Sequence, residues 1–297
     1  MSLQIQQVTK RFGSKTALHN ISFTIERGEM FGLLGSNGAG KTTTFRLIIG
    51  LLKASVGDVL WDGRPVSRMS PRTIGYLPEE RGLYPKLKVM EQLIYLGRLR
   101  GMTKQEVQVE ASKWLSRFQA EQYKNVKIEQ LSKGNQQKIQ FVAAVMHQPE
   151  LLILDEPFSG LDPINMNTLK AAVLDLQKDG TTIVFSSHQM NQVESLCENL
   201  SILKDGEQVV NGRLGEVKAN YKNRKLRVRC DFDIRALEEY SGVIGVSGST
   251  EEKVIDITSR DMVPVIFNWL QGRGVVTLFE LEEPTLHDIF VDKAGGR

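Results

Sequence analysis

Gly35-Ser36-Asn37-Gly38-Ala39-Gly40-Lys41-Thr42 fits G-x-x-x-x-G-K-[ST], the phosphate-binding loop. Its setting fits as well. Met30 to Leu34 before it reads as a buried strand, and Lys41 to Leu51 after it as a helix. Glycines let the backbone wrap closely, so amide N–H groups turn inward toward phosphate oxygens. The helix N-terminus adds the positive end of a dipole. In this pattern Lys41 reaches the β- and γ-phosphates and Thr42 offers a hydroxyl to Mg²⁺. The alternative is a plain glycine-rich turn. The full pattern in its strand-to-helix setting argues against that, so the expected ligand is a nucleoside triphosphate.

The rest of the chain sets the bounds. It has 297 residues, enough for one large domain and a smaller one. Hydrophobic residues make up 41% and charged residues 25%, as in ordinary globular proteins, and the net charge of +3 is too small to argue for a nucleic-acid partner. Cys197 and Cys230 match no metal or redox spacing and are expected to be buried small hydrophobes in a reducing cytoplasm. Leu3 to Val8 is polar and strand-like, so no signal peptide is expected. No apolar run approaches the ~20 residues that a spanning helix needs. A membrane role would therefore come through a partner.

Along the chain, 3–8 and 20–26 read as strands, and Gly57 to Trp61 as another before the Asp62-Gly63 turn. Thr73 to Leu77 is a strand that runs into the charged loop Pro78-Glu79-Glu80-Arg81-Gly82-Leu83-Tyr84-Pro85. Helical patterns follow at 89–100 and 103–119, the second opened by a capping box at Thr103 and Glu106. With a helix at 135–147 they form an insertion over about 86–147. Leu151-Leu152-Ile153-Leu154 is a central parallel strand by its unbroken apolar run. A helix at 164–177, a strand at 182–185 and a hairpin around Asp205-Gly206 complete a parallel α/β core.

The composition changes near 220, where Lys218, Lys222, Arg224, Lys225, Arg227 and Arg229 crowd together. They read as a solvated linker and edge strand, with a membrane-surface or partner contact as the alternative. Strands near 226–230, 242–247, 253–258 and 275–281, with helices near 233–240 and 261–272, suggest a βαββαβ, ferredoxin-like domain. A short helix at 285–291 closes the chain. The expected fold class is thus α/β. A phosphate-loop core with an antiparallel β subdomain and a helical insertion fills 1–220, and a small α+β domain fills 221–297.

A second cluster of chemistry sits at Asp155 and Glu156, where the apolar strand ends. Ligands of open α/β sheets bind at strand carboxyl ends. Asp155 is placed to help hold Mg²⁺, and Glu156 to act as general base for an attacking water.

The segments around these acids carry a family resemblance. Leu131-Ser132-Lys133-Gly134-Asn135-Gln136-Gln137-Lys138 precedes the acid strand. Asp155-Glu156-Pro157-Phe158-Ser159-Gly160-Leu161-Asp162-Pro163 follows, and Ser186-Ser187-His188 ends the next strand. With the loop at 35–42, residues 1 to about 215 resemble the nucleotide-binding subunit of ATP-binding cassette (ABC) transporters. The C-terminal domain and the loop at 78–84 are similar to sodium-extrusion and drug-efflux exporter ATPases.

The resemblance implies a set of roles. The bound ligands are ATP and Mg²⁺. Phe12 stacks on adenine, and residues Gly35 through Lys41, with Thr42 and Thr43, hold the nucleotide. Thr42, Asp155 and Glu79 face the metal. Lys41, Glu156 and His188 are the catalytic set, His188 contacting the γ-phosphate. His19, His147 and His287 are read as structural. Ser132, Gly134 and Asn135 bind the γ-phosphate of an ATP held by a second chain, and Asp162 reports to that chain. There are departures. Lys133 and Asn135 replace a Gly and the Gln of L-S-G-G-Q, and Glu79 stands where the family has Gln.

The implied activity is ATP hydrolysis that powers export through a separately encoded permease, docked at the 78–85 loop and the 89–119 helices. The implied subunit is a homodimer or heterodimer, peripheral on the cytoplasmic face of the membrane, with no nucleic acid. Two other readings are an ABC ATPase acting on ribosomes or DNA and an ATP-gated regulator without turnover. A single motif set without a long heptad run argues against the first. Asp155, Glu156 and His188 argue against the second.

Overall fold

The computed structural model describes residues 2–80, 82–249 and 252–294, so Arg81 of the predicted loop lies outside them. The chain divides into two compact units after Gly212.

The first unit opens with β1 (Ser2–Phe12) and β2 (Lys15–Glu26), a long hairpin. Both strands run past their predicted ends. The pairing slips between Ile5 and Val8, where Gln7 takes φ 48°. Such a bulge breaks the alternation that marks a strand in sequence while letting the strand bend and continue. Next come β3 (Met30–Gly35), α1 (Lys41–Ile48), β4 (Val56–Trp61) and β5 (Arg64–Pro65). β6 (Ile74–Leu77) leads to α2 (Val89–Leu99), α3 (Lys104–Arg117) and α4 (Lys133–Val145). β7 (Leu151–Leu154), α5 (Pro163–Lys178), β8 (Thr182–Ser186), α6 (Met190–Leu196), β9 (Asn199–Lys204) and β10 (Glu207–Arg213) follow.

Two sheets result. The small one runs β2-β1-β4-β5 and is antiparallel; the central one runs β10-β9-β3-β8-β7-β6, with β9, β3, β8, β7 and β6 in parallel register. A common core joins them: Leu3, Ile21 and Phe23 from the small sheet meet Phe31, Leu33 and Ile153 from the large one, and the Phe23 and Phe31 rings stack at 5.0 Å. This places the carboxyl ends of β3, β7 and β8 along one edge, where the motifs emerge. The insertion helices hold together through the Trp114, Phe118 and Phe141 rings.

The second unit contains α7 (Leu214–Asn220), β11 (Arg224–Cys230), β12 (Val243–Gly248), β13 (Lys253–Ile257), α8 (Met262–Leu270), β14 (Val276–Glu282) and α9 (Leu286–Ala294). Its sheet order is β12-β13-β11-β14 with every neighbour antiparallel, the ferredoxin-like arrangement. The helix expected at 233–240 is a 3₁₀ segment, Arg235–Glu239. The division falls after 212 rather than 220 because α7 goes with this unit. Seven residues including Gly215 gave α7 too little periodicity to be read; α6, also seven residues long, was missed for the same reason.

The basic stretch also needs correction. β11 is an inner strand, not an edge. Leu226 and Val228 point into the core with Ile255, Ile257 and Ile266. On the opposite face Lys225 pairs with Asp288 at 2.5 Å, Arg229 with Glu252 at 2.7 Å, and Arg227 with Glu252 and Glu282. The bases thus meet acids supplied by β14, by α9 and by Glu252 just before β13. These pairs are partly exposed and each adds little to stability.

Candidate functional site

The phosphate loop joins β3 to α1 as expected. Gly38 and Gly40 take φ of 83° and 111°, backbone that L side chains rarely adopt. At Gly40 a Cβ would also fall 2.5 Å from Leu18 Cδ2, and at Gly35 one would fall 2.7 Å from the Leu203 carbonyl oxygen. The loop is therefore packed from behind by β2 and β9. Lys41 is 8% exposed, and its Nζ donates to the carbonyls of Gly35 at 2.8 Å and Ser36 at 3.2 Å.

A cavity of about 590 Å³ opens over this loop. Ser36, Asn37, Gly38, Gly40, Lys41, Thr42 and Thr43 line it, as do Phe12, Glu79 and Glu156. Gly35 and Ala39 form the loop's inner wall; the Ala39 carbonyl accepts from the Gly206 amide at 3.1 Å. Phe12 is 48% exposed, so its ring is free to take a planar partner.

The acids sit behind Thr42. Its Oγ1 donates to Asp155 Oδ2 at 3.2 Å, and Ser186 Oγ donates to Asp155 Oδ1 at 2.7 Å. Asp155 is 1% exposed. A buried carboxylate beside a threonine hydroxyl is an all-oxygen donor set suited to Mg²⁺. The neighbouring Tyr76 phenol is pushed up to about 12, first by burial and then by the Asp155 charge, so it stays neutral.

Glu156 adopts φ 49°, a left-handed conformation costing an L-residue about 1–2 kcal/mol. Two contacts fix it there. Its amide donates to Ser186 Oγ at 2.9 Å, and His188 Nδ1 lies 2.8 Å from Glu156 Oε2. Strain held by its surroundings is a mark of functional positions. Ser186 is the residue that sequence reading passed over: one hydroxyl orients both acids. Its place two residues before His188 was the available signal.

Ser132, Gly134 and Asn135 do not line the cavity. They form the start of α4, where Ser132 Oγ accepts from the Asn135 amide at 3.3 Å. Asn165 of α5 covers Gly134, since a Cβ there would fall 2.8 Å from Asn165 Nδ2. Asp162 caps α5 by accepting from the amides of Ile164 and Asn165 at 3.1 and 3.0 Å. The Asn165 amide and side chain hold the Asp162 carboxyl below its usual range. Two further residues have contacts that the sequence does not assign, Gln137 inside the quoted signature stretch and Gln140 beyond it. Gln137 Nε2 donates to the Pro157 carbonyl at 3.1 Å, and Gln140 Nε2 to those of Pro78 and Glu80 at 3.1 and 3.2 Å. They tie α4 to the segments that carry Glu156 and Glu79.

A cavity of about 750 Å³ lies elsewhere, lined by Arg72, Glu106 and His147 among others, and contains none of the predicted site residues. Burial pushes the His147 imidazole down to about 4. Its Nε2 lies 3.1 Å from the Ile74 carbonyl oxygen, so this histidine joins the end of α4 to β6.

Known proteins share this sequence and fold. The ABC transporter family model matches residues 18–159, and that of the DrrA1-3-like ATP-binding protein C-terminal domain matches 212–294. The uncharacterized ABC transporter ATP-binding protein YhaQ of Bacillus subtilis is 52% identical over 99% of this chain and 98% of its own length. The chain belongs to the ABC transporter ATP-binding proteins. Linearmycin resistance ATP-binding protein LnrL, also of Bacillus subtilis, is 32% identical over 99% of this chain and 98% of its own. The dimeric structure of MJ0796, a bacterial ABC transporter cassette, superposes with a TM-score of 0.66 at 26% identity, covering 71% of this chain and 98% of that one. This ABC ATPase therefore has the fold that its motifs predict. Among its described residues no helix is long and apolar enough to cross a membrane.

Proposed function

We propose that this ABC ATPase hydrolyses ATP to drive export through a separately encoded membrane permease, working as a dimer on the inner face of the cell membrane. The first unit is the ATP-binding domain, with its helical subdomain over about 86–147, and the second is an accessory domain. The observation that carries the reading is the convergence of Lys41, Thr42, Asp155, Glu156 and His188 at one edge of the parallel sheet, braced by Ser186. The dimeric cassette MJ0796 and the resistance function in the name of LnrL support dimerisation and export respectively.

In this mechanism ATP lies along the phosphate loop. Lys41 leaves the Gly35 and Ser36 carbonyls for the β- and γ-phosphates. Thr42 and Asp155 hold Mg²⁺, with Glu79 as a further oxygen donor; when bound, the ion neutralises phosphate charge. Glu156 accepts the proton of the attacking water, and His188 holds the Glu156 carboxylate while facing the γ-phosphate. Ser132, Gly134 and Asn135 of the second chain close over that phosphate with a helix N-terminus. Catalysis is positioning plus charge neutralisation. Docking to the permease uses the 78–85 loop and α2–α3, where Tyr84, Tyr95 and Leu99 are exposed.

Glu156→Gln tests the central assignment. General-base catalysis contributes about 10²–10⁴-fold, so steady-state hydrolysis should fall by that much while ATP-induced dimers persist on gel filtration. Turnover like that of the wild type would overturn it. Crosslinking from 78–100 in membranes should capture a polytopic membrane protein; capture of ribosomal proteins would overturn the permease assignment.

A further inference from the structure

One acid on the cavity wall takes no part in this mechanism. Asp205 lines the cavity together with Glu79 and Glu156. The sheet order separates them. The phosphate loop rises from β3, Glu156 follows β7 on one side, and Asp205 follows β9 on the other. At about 4.8 Å per strand, β9 and β7 stand roughly 14 Å apart. Asp205 is therefore remote from the catalytic acids.

It stands instead beside β2. Asp205 and Gly206 take φ of 50° and 85°, a tight turn between β9 and β10. The Gly206 amide donates to the Ala39 carbonyl at 3.1 Å, and its carbonyl accepts from the His19 amide at 2.8 Å. A Cβ on Gly206 would fall 2.6 Å from the Ala17 carbonyl oxygen. The turn is thus clamped between the phosphate loop and β2, which brings Thr16 and Ala17 to the same wall as Phe12. One side of the Phe12 ring is covered by Lys10 Nζ at 4.9 Å, itself anchored on the Lys53 carbonyl at 2.8 Å. Planar stacking is left to the other side.

The Asp205 carboxylate has no hydrogen bond or ion pair among the described residues. A carboxylate only accepts hydrogen bonds, and so do phosphate oxygens. Its match in a nucleotide is the nucleoside, which carries donors in the adenine amine and the ribose hydroxyls. We infer that Asp205 recognises the nucleoside end of ATP by accepting a hydrogen bond from one of these donors. This rests on the reading of the cavity as the ATP site.

The test titrates the full chain with ATP, ITP, 2′-deoxy-ATP, 3′-deoxy-ATP and tripolyphosphate, in wild type and Asp205→Gly. Glycine keeps the positive-φ turn and removes only the carboxylate. A hydrogen bond to a charged group supports about a tenfold loss of ATP affinity in the variant, with tripolyphosphate unchanged or tighter. In the wild type, weaker ITP binding assigns the amine, and weaker deoxy-ATP binding assigns the hydroxyl. Either gap should close in Asp205→Gly. Unchanged ATP affinity in the variant, or equal losses for ATP and tripolyphosphate, would overturn the inference while leaving the site reading intact. A wild type that binds neither ATP nor tripolyphosphate would overturn the site reading and the inference with it.

Discussion

Two helix N-termini in this ABC ATPase follow short polar loops, and they are built for opposite situations. The start of α1 faces a cavity whose other walls belong to the same unit; Lys41 is buried and already hydrogen-bonded to the loop. The start of α4 lines neither of the two cavities described above. Its Ser132 is exposed and caps its own helix, while Gln137 and Gln140 behind it reach to the Glu156 and Glu79 segments. In the proposed mechanism the first is the part of the ATP site that one chain supplies by itself. The second is an exposed helix start tied inward through Gln137 and Gln140, which suits the trans role proposed for it. The chemistry at the two ends is alike, and what separates them is the company each keeps.

The largest effect should come from the first. Lys41→Ala removes a charge-assisted contact to phosphate, and ATP binding to the monomer should fall at least about 100-fold by direct titration. Hydrolysis should become undetectable. Ser132→Ala should behave differently. Monomer affinity for ATP should stay within about twofold, while turnover in the assembled dimer falls about tenfold from the lost trans contact. If both variants weaken monomer binding alike, the contrast between the two helix starts is wrong and the signature serves its own chain. Mixing the two variants sharpens it further. A heterodimer of Lys41→Ala with Ser132→Ala pairs one intact loop with one intact signature, so it should recover turnover that the Lys41→Ala homodimer lacks. No recovery would show that the two sites fire only together.

The same contrast governs what could be read from sequence. The phosphate loop, Asp155 and Glu156 announce themselves because their chemistry needs fixed residue types at fixed places, whereas His188 was legible only through the family resemblance. The parallel core was legible for a related reason: Leu151 to Leu154 is buried on both sides and carries no alternation to misread. Support residues were not legible. Ser186 orients two acids that are 31 and 30 positions away, and Gln140 reaches 60. Nothing local marks a serine or glutamine for such work. β11 reads as an edge because its bases look solvated until the acids that face them are known. α6 and α7 were too short for a 3.6-residue period to show.

The last prediction concerns stability in acid rather than turnover, and the far end of α4, where His147 ties that helix to β6. Its imidazole titrates near 4 in the fold against about 6.5 in the unfolded chain, so between those values the unfolded state binds more protons. Stability attached to this group is intact above pH 6.5 and drains away as pH falls toward 4. The loss is under about 1 kcal/mol at pH 6 and approaches about 3 kcal/mol near pH 4. His147→Gln keeps a donor for the Ile74 carbonyl but does not titrate, so chemical denaturation should give it a flatter stability profile across that window. The α1 end offers a control, because Lys41→Ala touches no group near His147 and should keep the wild-type pH slope. An unchanged slope in His147→Gln would mean that acid acts on this protein through other groups, and that the β6 end of α4 is not anchored through a neutral His147.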